Sequence, residues 1–251
     1  MTAAAVPPKI PIDWYDEIDS TSAEARRRAD ASVTGPVWIS AGRQTQGRGR
    51  RGRSWESPVG NLAATYLTLT DMAPAEAAQI SFVAALAVFD VLRAYIGPDA
   101  VRVKWPNDLM IGDEKVSGIL VESGRAPDGR LWLAVGIGVN LAHRPEFSER
   151  PATALALHMA GGPPSPQRAL ERLAAALEEW MTVWREIGFP VIATAWSERA
   201  YGLGHACEAR LPAETVTGTA EGLDADGALR LRLTDGSIRR ITAGDVFFEG
   251  T

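Results

Sequence analysis

The chain has 251 residues, 46% of them hydrophobic, with a formal net charge of −5 and a pI of about 5.3. This composition supports a sizeable folded core, excludes wholesale disorder, and argues against general coating of nucleic acid, which needs a basic face. Three histidines without metal-ligand spacing (His143, His158 and His205), one cysteine (Cys207) and no secretion signal predict a cytoplasmic protein without a disulfide, a protein-ligated metal or a membrane segment.

The first 41 residues predict a short leader, a helix and a strand. Residues 1–11 are rich in alanine and proline and are typical of an extended leader. The run Asp19-Ser20-Thr21-Ser22 supplies hydroxyl groups that can cap a helix over residues 23–31. Residues 37–41 predict a strand that leads directly into an arginine-rich segment.

That segment, residues 43–53, contains five of the chain's 23 arginines, interleaved with Gly47, Gly49 and Gly52. Arginine presents a fixed fork of donors that fits phosphate and carboxylate oxygens. Glycine lets the backbone bend sharply and approach a ligand closely. A flexible cationic loop on an acidic protein therefore indicates a site that gathers one or more anions.

The central part of the chain predicts strands around one apolar helix. Residues 62–69 predict a strand, and residues 74–96 predict a single long helix that is buried on most sides. Further strands are predicted over residues 101–105, 118–122 and 131–139, with a hairpin turn at Asp128-Gly129 between the last two.

The C-terminal part predicts one amphipathic helix followed by short strands. Over residues 167–187 apolar side chains recur at steps of three and four, which favours a helix packed on a sheet. From His205 onward the segments are short and alternating, as in residues 228–233, with turn signals at Asp226-Gly227 and Asp235-Gly236. The order of elements predicts an α+β main domain and a small C-terminal β domain.

Lys115 is the cation that draws most attention, because the chain contains only three lysines. It follows the tight turn at Asn107 and Asp108 and precedes Gly118, where a ligand could lie against the backbone. Taken alone, the segment also fits a polar β turn with a solvated lysine.

Four motifs decide between these interpretations: GRGRRGRSW at residues 47–55, KWPNDL at 104–109, KVSGILVE at 115–122 and GIGVNL at 136–141. In this order and spacing they closely resemble the catalytic domain of biotin–protein ligases. The resemblance implies an α+β fold with a mixed sheet and packed helices, like class II synthetases, plus a small SH3-like β barrel. The implied organisation is a leader over 1–11, a catalytic domain over 12–202 and the barrel over 203–251.

The resemblance implies a ligase that activates biotin with ATP, releases pyrophosphate, and passes biotin from biotinyl-5′-AMP to a lysine of a carrier protein. It makes Lys115 and Arg50 the catalytic residues. It implies biotin contacts from Ser20, Thr21, Gln44, Gly47, Arg48, Arg50, Lys115, Gly118 and Gly136. It implies adenylate contacts from Arg50, Arg51, Trp55, Asn107 and Asn140. Asp108 is expected to hold the lysine or to assist the incoming amine.

The implied cofactor is Mg²⁺ on the ATP phosphates, with protein ligands unknown, and biotin and ATP are substrates. The implied partner is the biotin carboxyl carrier domain of a biotin-dependent carboxylase, with acetyl-CoA carboxylase expected. The chain begins at the catalytic domain, so the monofunctional type without operator binding is expected. Relatives range from monomers to dimers, which leaves a homodimer open.

Two alternatives remain at this stage. A lipoate- or octanoate-transferring relative would share the catalytic fold but would need a longer apolar tunnel. A nucleic-acid binding module could use the arginine loop to grip phosphates. The acidic pI and the absence of a basic face with interleaved aromatic residues argue against the second alternative.

Overall fold

The computed structural model describes residues 10–32, 35–146 and 150–248, which form a seven-stranded sheet with helices and a smaller five-stranded sheet. The strands of the larger sheet are β1 (Ile12–Ile18), β2 (Val37–Gln44), β3 (Leu62–Thr70), β4 (Val101–Lys104), β5 (Asp108–Ile111), β6 (Glu114–Arg125) and β7 (Leu131–Val139). The helices are α1 (Thr21–Asp30), α2 (Pro74–Ala77), α3 (Ile80–Ile96), α4 (Pro166–Ile187) and α5 (Phe189–Ser197). The predicted leader falls almost wholly on residues 1–9, outside the described part.

The larger sheet is mixed, which confirms the predicted fold class. Its strand order is β1-β2-β3-β7-β6-β5-β4. β1 runs parallel to β2, with α1 as the crossover between them, and the other neighbouring strands pair antiparallel. Strands β6 and β7 form the long hairpin that the turn at Asp128-Gly129 predicts.

Alternating side chains place different helices on the two faces of the sheet. Trp38 and Tyr66 point to one face, where they pack with each other and with the core around α3 and α4. Their chain neighbours Ile39 and Leu67 point to the other face and pack against Ala25 of α1. The sheet is therefore covered on both sides, and α1 is the helix on the face that carries the site described below.

The apolar segment at residues 74–96 is helical, as predicted, with a turn at Ala78 and Gln79 between α2 and α3. α2 ends at Ala77 and α3 begins at Ile80, and eleven residues of α3 are buried. Within the described part of the chain, this segment alone is long and apolar enough to cross a membrane, and 67% of its apolar window is buried inside the protein. Such burial is typical of a core helix.

α4 follows the predicted stripe, with Leu170, Leu173, Leu177 and Trp184 buried. It packs mainly on α3 and makes a smaller contact with β3, so the predicted packing on a sheet is only part of its environment. Ile187 continues the stripe in sequence but is 64% exposed, because the helix ends there and no element covers it in the described structure.

The second sheet confirms the small C-terminal β domain. Its strands are β8 (Ala206–Arg210), β9 (Thr215–Leu223), β10 (Leu229–Arg232), β11 (Ile238–Ile241) and β12 (Asp245–Phe248), in the order β11-β10-β9-β8-β12. Leu229 and Leu231 of β10 are fully buried, as the alternating pattern predicts.

The two sheets meet through the first residues of the KWPNDL motif. Trp105 Nε1 donates a hydrogen bond of 3.1 Å to the carbonyl of Gly227 in the β9–β10 turn. Lys104 Nζ lies 5.3 Å from the ring centroid of Tyr201 and 5.6 Å from that of Phe248. Burial lowers the pKa of the Lys104 ammonium group. These two residues therefore hold the smaller sheet against the larger one.

Candidate active site

A cavity of about 360 Å³ opens between the N-terminus of α1, strands β5 to β7, the arginine loop and the start of β12. Ten of the thirteen residues predicted to contact biotin or adenylate line it: Thr21, Gln44, Arg48, Arg50, Trp55, Asn107, Lys115, Gly118, Gly136 and Asn140. The other three, Ser20, Gly47 and Arg51, are not among the residues that line it. Asp108 lines it as well.

Neutral polar side chains form a connected group where α1 begins. Gln44 Oε1 accepts hydrogen bonds from the Thr21 backbone N–H at 2.9 Å and from Thr21 Oγ1 at 3.1 Å. Thr65 Oγ1 donates to Thr21 Oγ1 at 2.8 Å and lies 3.3 Å from Ser22 Oγ. Ser20 instead caps α1, since its hydroxyl accepts from the Ala23 N–H at 3.4 Å. The group offers donors and acceptors without net charge.

The floor of the cavity is formed by glycines of two neighbouring strands, β6 and β7, which carry no side chains there. On the α1 face of β7 the residues run Trp132, Ala134, Gly136, Gly138, and Gly138 is paired with Gly118 of β6. A Cβ on Gly136 would lie 2.6 Å from Ser22 Oγ, and a Cβ on Gly138 would lie 2.3 Å from the Trp55 ring. Since alternate residues of a strand are roughly 7 Å apart, the polar group and Trp55 occupy neighbouring places on this floor.

The Trp55 ring lies next to both paired glycines, Gly118 and Gly138. A Cβ on Gly118 would lie 3.2 Å from the Trp55 ring, and Lys115 Nζ is 5.5 Å from a ring centroid of Trp55. The indole Nε1 is buried and has no hydrogen-bond partner among the described residues. The backbone holds this position, because Trp55 N–H donates to the Gly47 carbonyl at 2.9 Å.

Lys115 and Asp108 form the central ion pair, with Nζ 2.5 Å from Oδ1. Asp108 is buried at the start of β5 and pairs in register with Gly118 of β6. The backbone of Lys115 is fixed from the other side, because its N–H donates to the Pro151 carbonyl and its carbonyl accepts from Thr153 N–H, both at 2.9 Å. The ammonium group is thus aimed into the cavity beside the glycine floor.

Arg50 reaches the cavity from the arginine loop. Its Nη1 donates to Asn107 Oδ1 at 3.1 Å, and Asn107 Nδ2 donates to the Ile119 carbonyl at 2.6 Å. Burial lowers the pKa of the Arg50 guanidinium, which nevertheless stays charged because arginine titrates far above neutral pH. A half-buried cation of this kind is suited to an anionic ligand.

Arg51 and Arg53 point instead to the smaller sheet. Asp245 Oδ2, on β12, accepts from Arg53 Nη2 at 2.9 Å and from Arg51 Nη1 at 3.3 Å. Burial raises the pKa of the Asp245 carboxyl, but the Arg53 hydrogen bond and the nearby arginine charges outweigh it, so the pKa lies below its ordinary value. Asp245 therefore stays ionised and ties the loop to β12.

The lining residues that were not assigned from the sequence include Gly138, Arg150 and Asp245. Gly138 had a usable signal, since it lies two residues after Gly136 in the same motif and must share its face of the strand. Asp245 and Arg150 had no signal, because a single charged residue in an otherwise ordinary segment does not indicate which distant residues it meets.

Asn140 is predicted to contact the adenylate, and its amide also supports the fold. Its Nδ2 donates to the Thr153 carbonyl at 3.0 Å, and its side chain is buried. The hydrogen bond ties β7 to the segment that binds the Lys115 backbone.

The cavity is cationic overall. Five lining residues are positive (Arg48, Arg50, Arg53, Lys115 and Arg150) and three are negative (Glu56, Asp108 and Asp245). No group of three or more histidine, cysteine or carboxylate side chains that could hold a metal occurs in the described part of the chain. The donor set suits a metal that arrives on phosphate oxygens and is held mainly by them.

Comparison with known families matches two models to this chain. Residues 18–141 match the biotin/lipoate A/B protein ligase family, and residues 202–249 match the biotin protein ligase C-terminal domain. The first range includes all four motifs, and the second covers the five-stranded sheet.

Individual relatives agree with these matches. The chain is 41% identical to a biotin–[acetyl-CoA-carboxylase] ligase of Paracoccus denitrificans over 92% of this chain and 98% of that protein. It is 32% identical to the bifunctional ligase/repressor BirA of Escherichia coli over 91% of this chain and 71% of that protein. A biotin protein ligase of Aquifex aeolicus, solved in complex with biotin and ATP, superimposes with a TM-score of 0.78 and 26% identity, covering 96% of this chain and 99% of that one.

Proposed function

Because the chain belongs to the biotin protein ligase family, we propose that it converts biotin and ATP to biotinyl-5′-AMP and then biotinylates a lysine of a carboxylase carrier domain. The observation that carries the proposal is that one cavity is lined by the Lys115–Asp108 pair, Arg50 and the Thr21–Gln44 group. The cations suit two oxyanions, and the neutral group suits a ureido ring. This combination supports activation of biotin better than it supports nucleic-acid binding.

In the first step a carboxylate oxygen of biotin attacks the α-phosphorus of ATP, and the bond to the β-phosphate oxygen breaks to release pyrophosphate. The two reactants are both anions, so the main task is to neutralise their repulsion and align them. The Lys115 ammonium, a compact charge with rotatable donors, bridges the carboxylate and the α-phosphate. Arg50, which is hydrogen-bonded to Asn107, adds a second positive charge from the arginine loop, and Arg48 adds a third.

At the biotin end of the cavity, we assign each side chain a role from the hydrogen bonds that it can donate or accept. Thr21 and Gln44 supply the neutral donors and acceptors that a ureido ring needs, with Ser20 holding the start of α1 behind them. Gly118 and Gly136 line the cavity and offer biotin their backbone, with Trp55 and Lys115 lying next to Gly118 and Ser22 next to Gly136. Gly47 contributes through its backbone, because its carbonyl accepts the hydrogen bond from the Trp55 N–H.

At the nucleotide end Trp55 supplies an aromatic face for adenine, and Arg51, Asn107 and Asn140 support the adenylate or the loop around it. The buried Nε1 of Trp55 is consistent with a ring that finds its polar partner only when the site is loaded. Mg²⁺ would supply additional positive charge on the ATP phosphates when bound, and the carboxylates of this chain that line the cavity and could hold it are Asp108, Asp245 and Glu56.

In the second step a lysine amine of the carrier attacks the carbonyl carbon of biotinyl-5′-AMP. The new C–N bond forms, the bond to the phosphate oxygen breaks, AMP leaves, and the amine loses a proton. Asp108 lines the cavity beside Lys115 and is placed to hold that lysine or to accept the proton. We propose acetyl-CoA carboxylase as the source of the carrier, because the Paracoccus relative is named for that acceptor.

We also propose the functional boundaries expected from the sequence, with the catalytic unit ending near residue 202 and the barrel beginning at 203, close to the start of the second family match. The cytoplasm is the proposed location, since both ATP and carrier domains occur there. We propose no repressor function.

A direct experiment is to incubate the purified protein with ATP, Mg²⁺ and biotin and to search for biotinyl-5′-AMP by mass spectrometry. We expect the adenylate and an equal amount of pyrophosphate, and then label transfer to a carrier domain but not to its variant with the acceptor lysine replaced by arginine. No adenylate at saturating substrates would overturn the proposal. Equilibrium binding of biotin against lipoate separates this activity from the other branch of the matched family, and tighter lipoate binding would favour that branch.

A further inference from the structure

Arg150 lies between the two buried carboxylates of the cavity, and no step of the proposed reaction uses it. Its Nη1 is 3.9 Å from Asp108 Oδ2, and its Nη2 is 3.4 Å from Asp245 Oδ2. The guanidinium carbon lies 4.5 Å from the ring centroid of Phe247, the residue two positions after Asp245 on β12. The side chain is 23% exposed, so solvent screens these contacts only in part.

These contacts complete a chain of alternating charges across the molecule. Asp108 uses Oδ1 for Lys115 and turns Oδ2 toward Arg150. Asp245 faces Arg150 and also accepts hydrogen bonds from Arg51 and Arg53. The chain therefore runs from the arginine loop through Asp245, Arg150 and Asp108 to Lys115, and it joins the smaller sheet to the larger one.

The backbone next to Arg150 is tied to the same lysine. Pro151 accepts the hydrogen bond of the Lys115 N–H, and Thr153 donates to the Lys115 carbonyl. Arg150 is thus anchored two residues before Ala152, which forms a β bridge with Lys115, while its side chain reaches across to β12. An arginine held at both ends loses less freedom when it orients a carboxylate than a free surface arginine does.

The two carboxylates depend on Arg150 unequally. If Arg150 is removed, Asp245 keeps Arg51 and Arg53, whereas the Oδ2 side of Asp108 loses the cation it faces. Asp108 is buried, so an imbalance there is costly and is relieved by rotation of the carboxylate. Rotation of Asp108 would in turn move the ammonium of Lys115.

We propose that Arg150 is a positioning residue: it fixes the Asp108 carboxylate, and through it the Lys115 ammonium, and makes that alignment depend on the seating of β12 against the cavity. The consequence for the reaction rests on the proposed biotin activation. The charge chain itself is a property of the folded protein.

The kinetic test compares Arg150→Ala with Arg210→Ala. Arg210 is a matched control, because its guanidinium lies 4.1 Å from the same Phe247 ring but pairs with Glu208 on the surface and does not line the cavity. We expect Arg150→Ala to lower kcat for biotinyl-5′-AMP formation roughly 10- to 100-fold, the cost typical of a small misalignment. The KM for biotin should change little, since Thr21 and Gln44 are untouched. Arg150→Lys should recover part of the rate, and Arg210→Ala should match the unaltered protein.

A second readout needs no enzymatic activity. Lys115 can be labelled with a small amine-reactive reagent, with Lys104 as the internal reference, and the peptides quantified by mass spectrometry. A loosened Asp108–Lys115 pair should raise the labelling rate of Lys115 in Arg150→Ala but not in Arg210→Ala.

Equal labelling and equal kcat in the two variants would overturn the positioning role. If the unaltered protein makes no biotinyl-5′-AMP, the proposed function fails by itself. The labelling comparison then still decides whether Arg150 holds the pair, so the two failures are distinguishable.

Discussion

Lys115 carries a prediction that separates chemistry from binding. Lys115→Ala removes the charge that we propose bridges two anions while leaving the Thr21–Gln44 group intact, so adenylate formation should fall roughly 10²- to 10³-fold, as for loss of one oxyanion-stabilising group. Biotin affinity should fall far less. Rapid-quench single turnovers and equilibrium binding measure the two quantities. Lys115→Arg keeps the charge but not the compact geometry and should be intermediate. An unchanged single-turnover rate in Lys115→Ala would remove this residue from the mechanism.

Gly138 carries a second prediction, because its missing side chain leaves room for Trp55. A Cβ there would lie 2.3 Å from the ring, so Gly138→Ala should displace Trp55 and destabilise the fold by about 1–3 kcal/mol, the usual cost of overpacking. Biotin binding should weaken as the floor of the cavity fills. Gly161→Ala is the control, since its Cβ would meet nothing within 4 Å. Urea unfolding and biotin titration of both variants provide the check, and equal stability of the two would contradict the account of the floor.

Among single residues, those inside recognisable motifs could be predicted and those that meet only in the folded state could not. Lys115, Arg50 and Gly118 lie in runs whose order and spacing are distinctive, and all three line the cavity. Asp245 meets Arg53 across 192 residues of chain, and no local pattern records such a contact. Arg150 is similar, because its partners come from β5 and β12.

At the scale of elements, the arginine loop is a short folded unit tied at its base. Arg48 pairs with Ser54 in an isolated bridge, and Gly49 N–H donates to the Arg53 carbonyl at 2.8 Å. Arg51 at its tip has a φ of 57°, in the left-handed region that non-glycine residues seldom adopt. A loop with fixed ends and a strained tip can change shape when a ligand neutralises its arginines.

This loop should close over the adenylate, because water would destroy the mixed anhydride. We expect trypsin to cut after arginines of residues 48–53 readily in the free protein and several-fold more slowly with bound biotinyl-5′-AMP. Cleavage at the exposed hairpin around Arg130 serves as the internal control, since it lies outside the cavity. Timed digestion with mass spectrometry measures both sites. The same rate of loop cutting with and without adenylate would contradict closure.

Helices and strands with a clear pattern of apolar residues could be predicted from the sequence, and those without such a pattern could not. α4 and β7 follow the patterns of a helix with an apolar stripe and of an apolar strand. β1 (Ile12–Ile18) mixes charged and aromatic residues without alternation, and it is only partly buried at the edge of the sheet. α5 (Phe189–Ser197) is a short apolar run, which periodicity cannot assign to helix or strand. The sequence did not predict β5 (Asp108–Ile111), because turn-forming residues flank this short strand on both sides.

At the scale of the whole molecule, the smaller sheet supplies structure and also one residue of the cavity. Trp105 and Lys104 hold it against the larger sheet, and β12 places Asp245 among the arginines. The sequence could indicate two domains from the change of pattern near residue 202. It could not indicate that the second domain helps to form the site, because that depends on how two separately patterned sheets pack.

Asp245 makes this dependence measurable through pH. Its carboxyl has a pKa below the ordinary value of 3.8 in the folded protein, so its contribution to stability is present at neutral pH and is lost as pH falls through that lowered pKa. Asp245→Asn should therefore reduce the free energy of unfolding at pH 7 by about 1.5–3 kcal/mol, the range for hydrogen bonds to a charged group. The difference from the unaltered protein should shrink toward zero in strong acid, where the native carboxyl is also neutral.

Urea unfolding at a series of pH values between neutrality and strong acid measures this difference, with Asp128→Asn as the control. The hydrogen bond from Arg130 lowers the pKa of Asp128 as well, but Asp128 is exposed and its partner is only two residues away. An unfolded chain can keep this contact, so the pKa differs little between the folded and unfolded states and the replacement should leave the pH profile almost unchanged. A stability difference for Asp245→Asn that stays constant down to strong acid would mean that its charge does not hold the loop to β12. The smaller sheet would then contribute packing alone, and the charge chain through Arg150 would lose its link to the second domain.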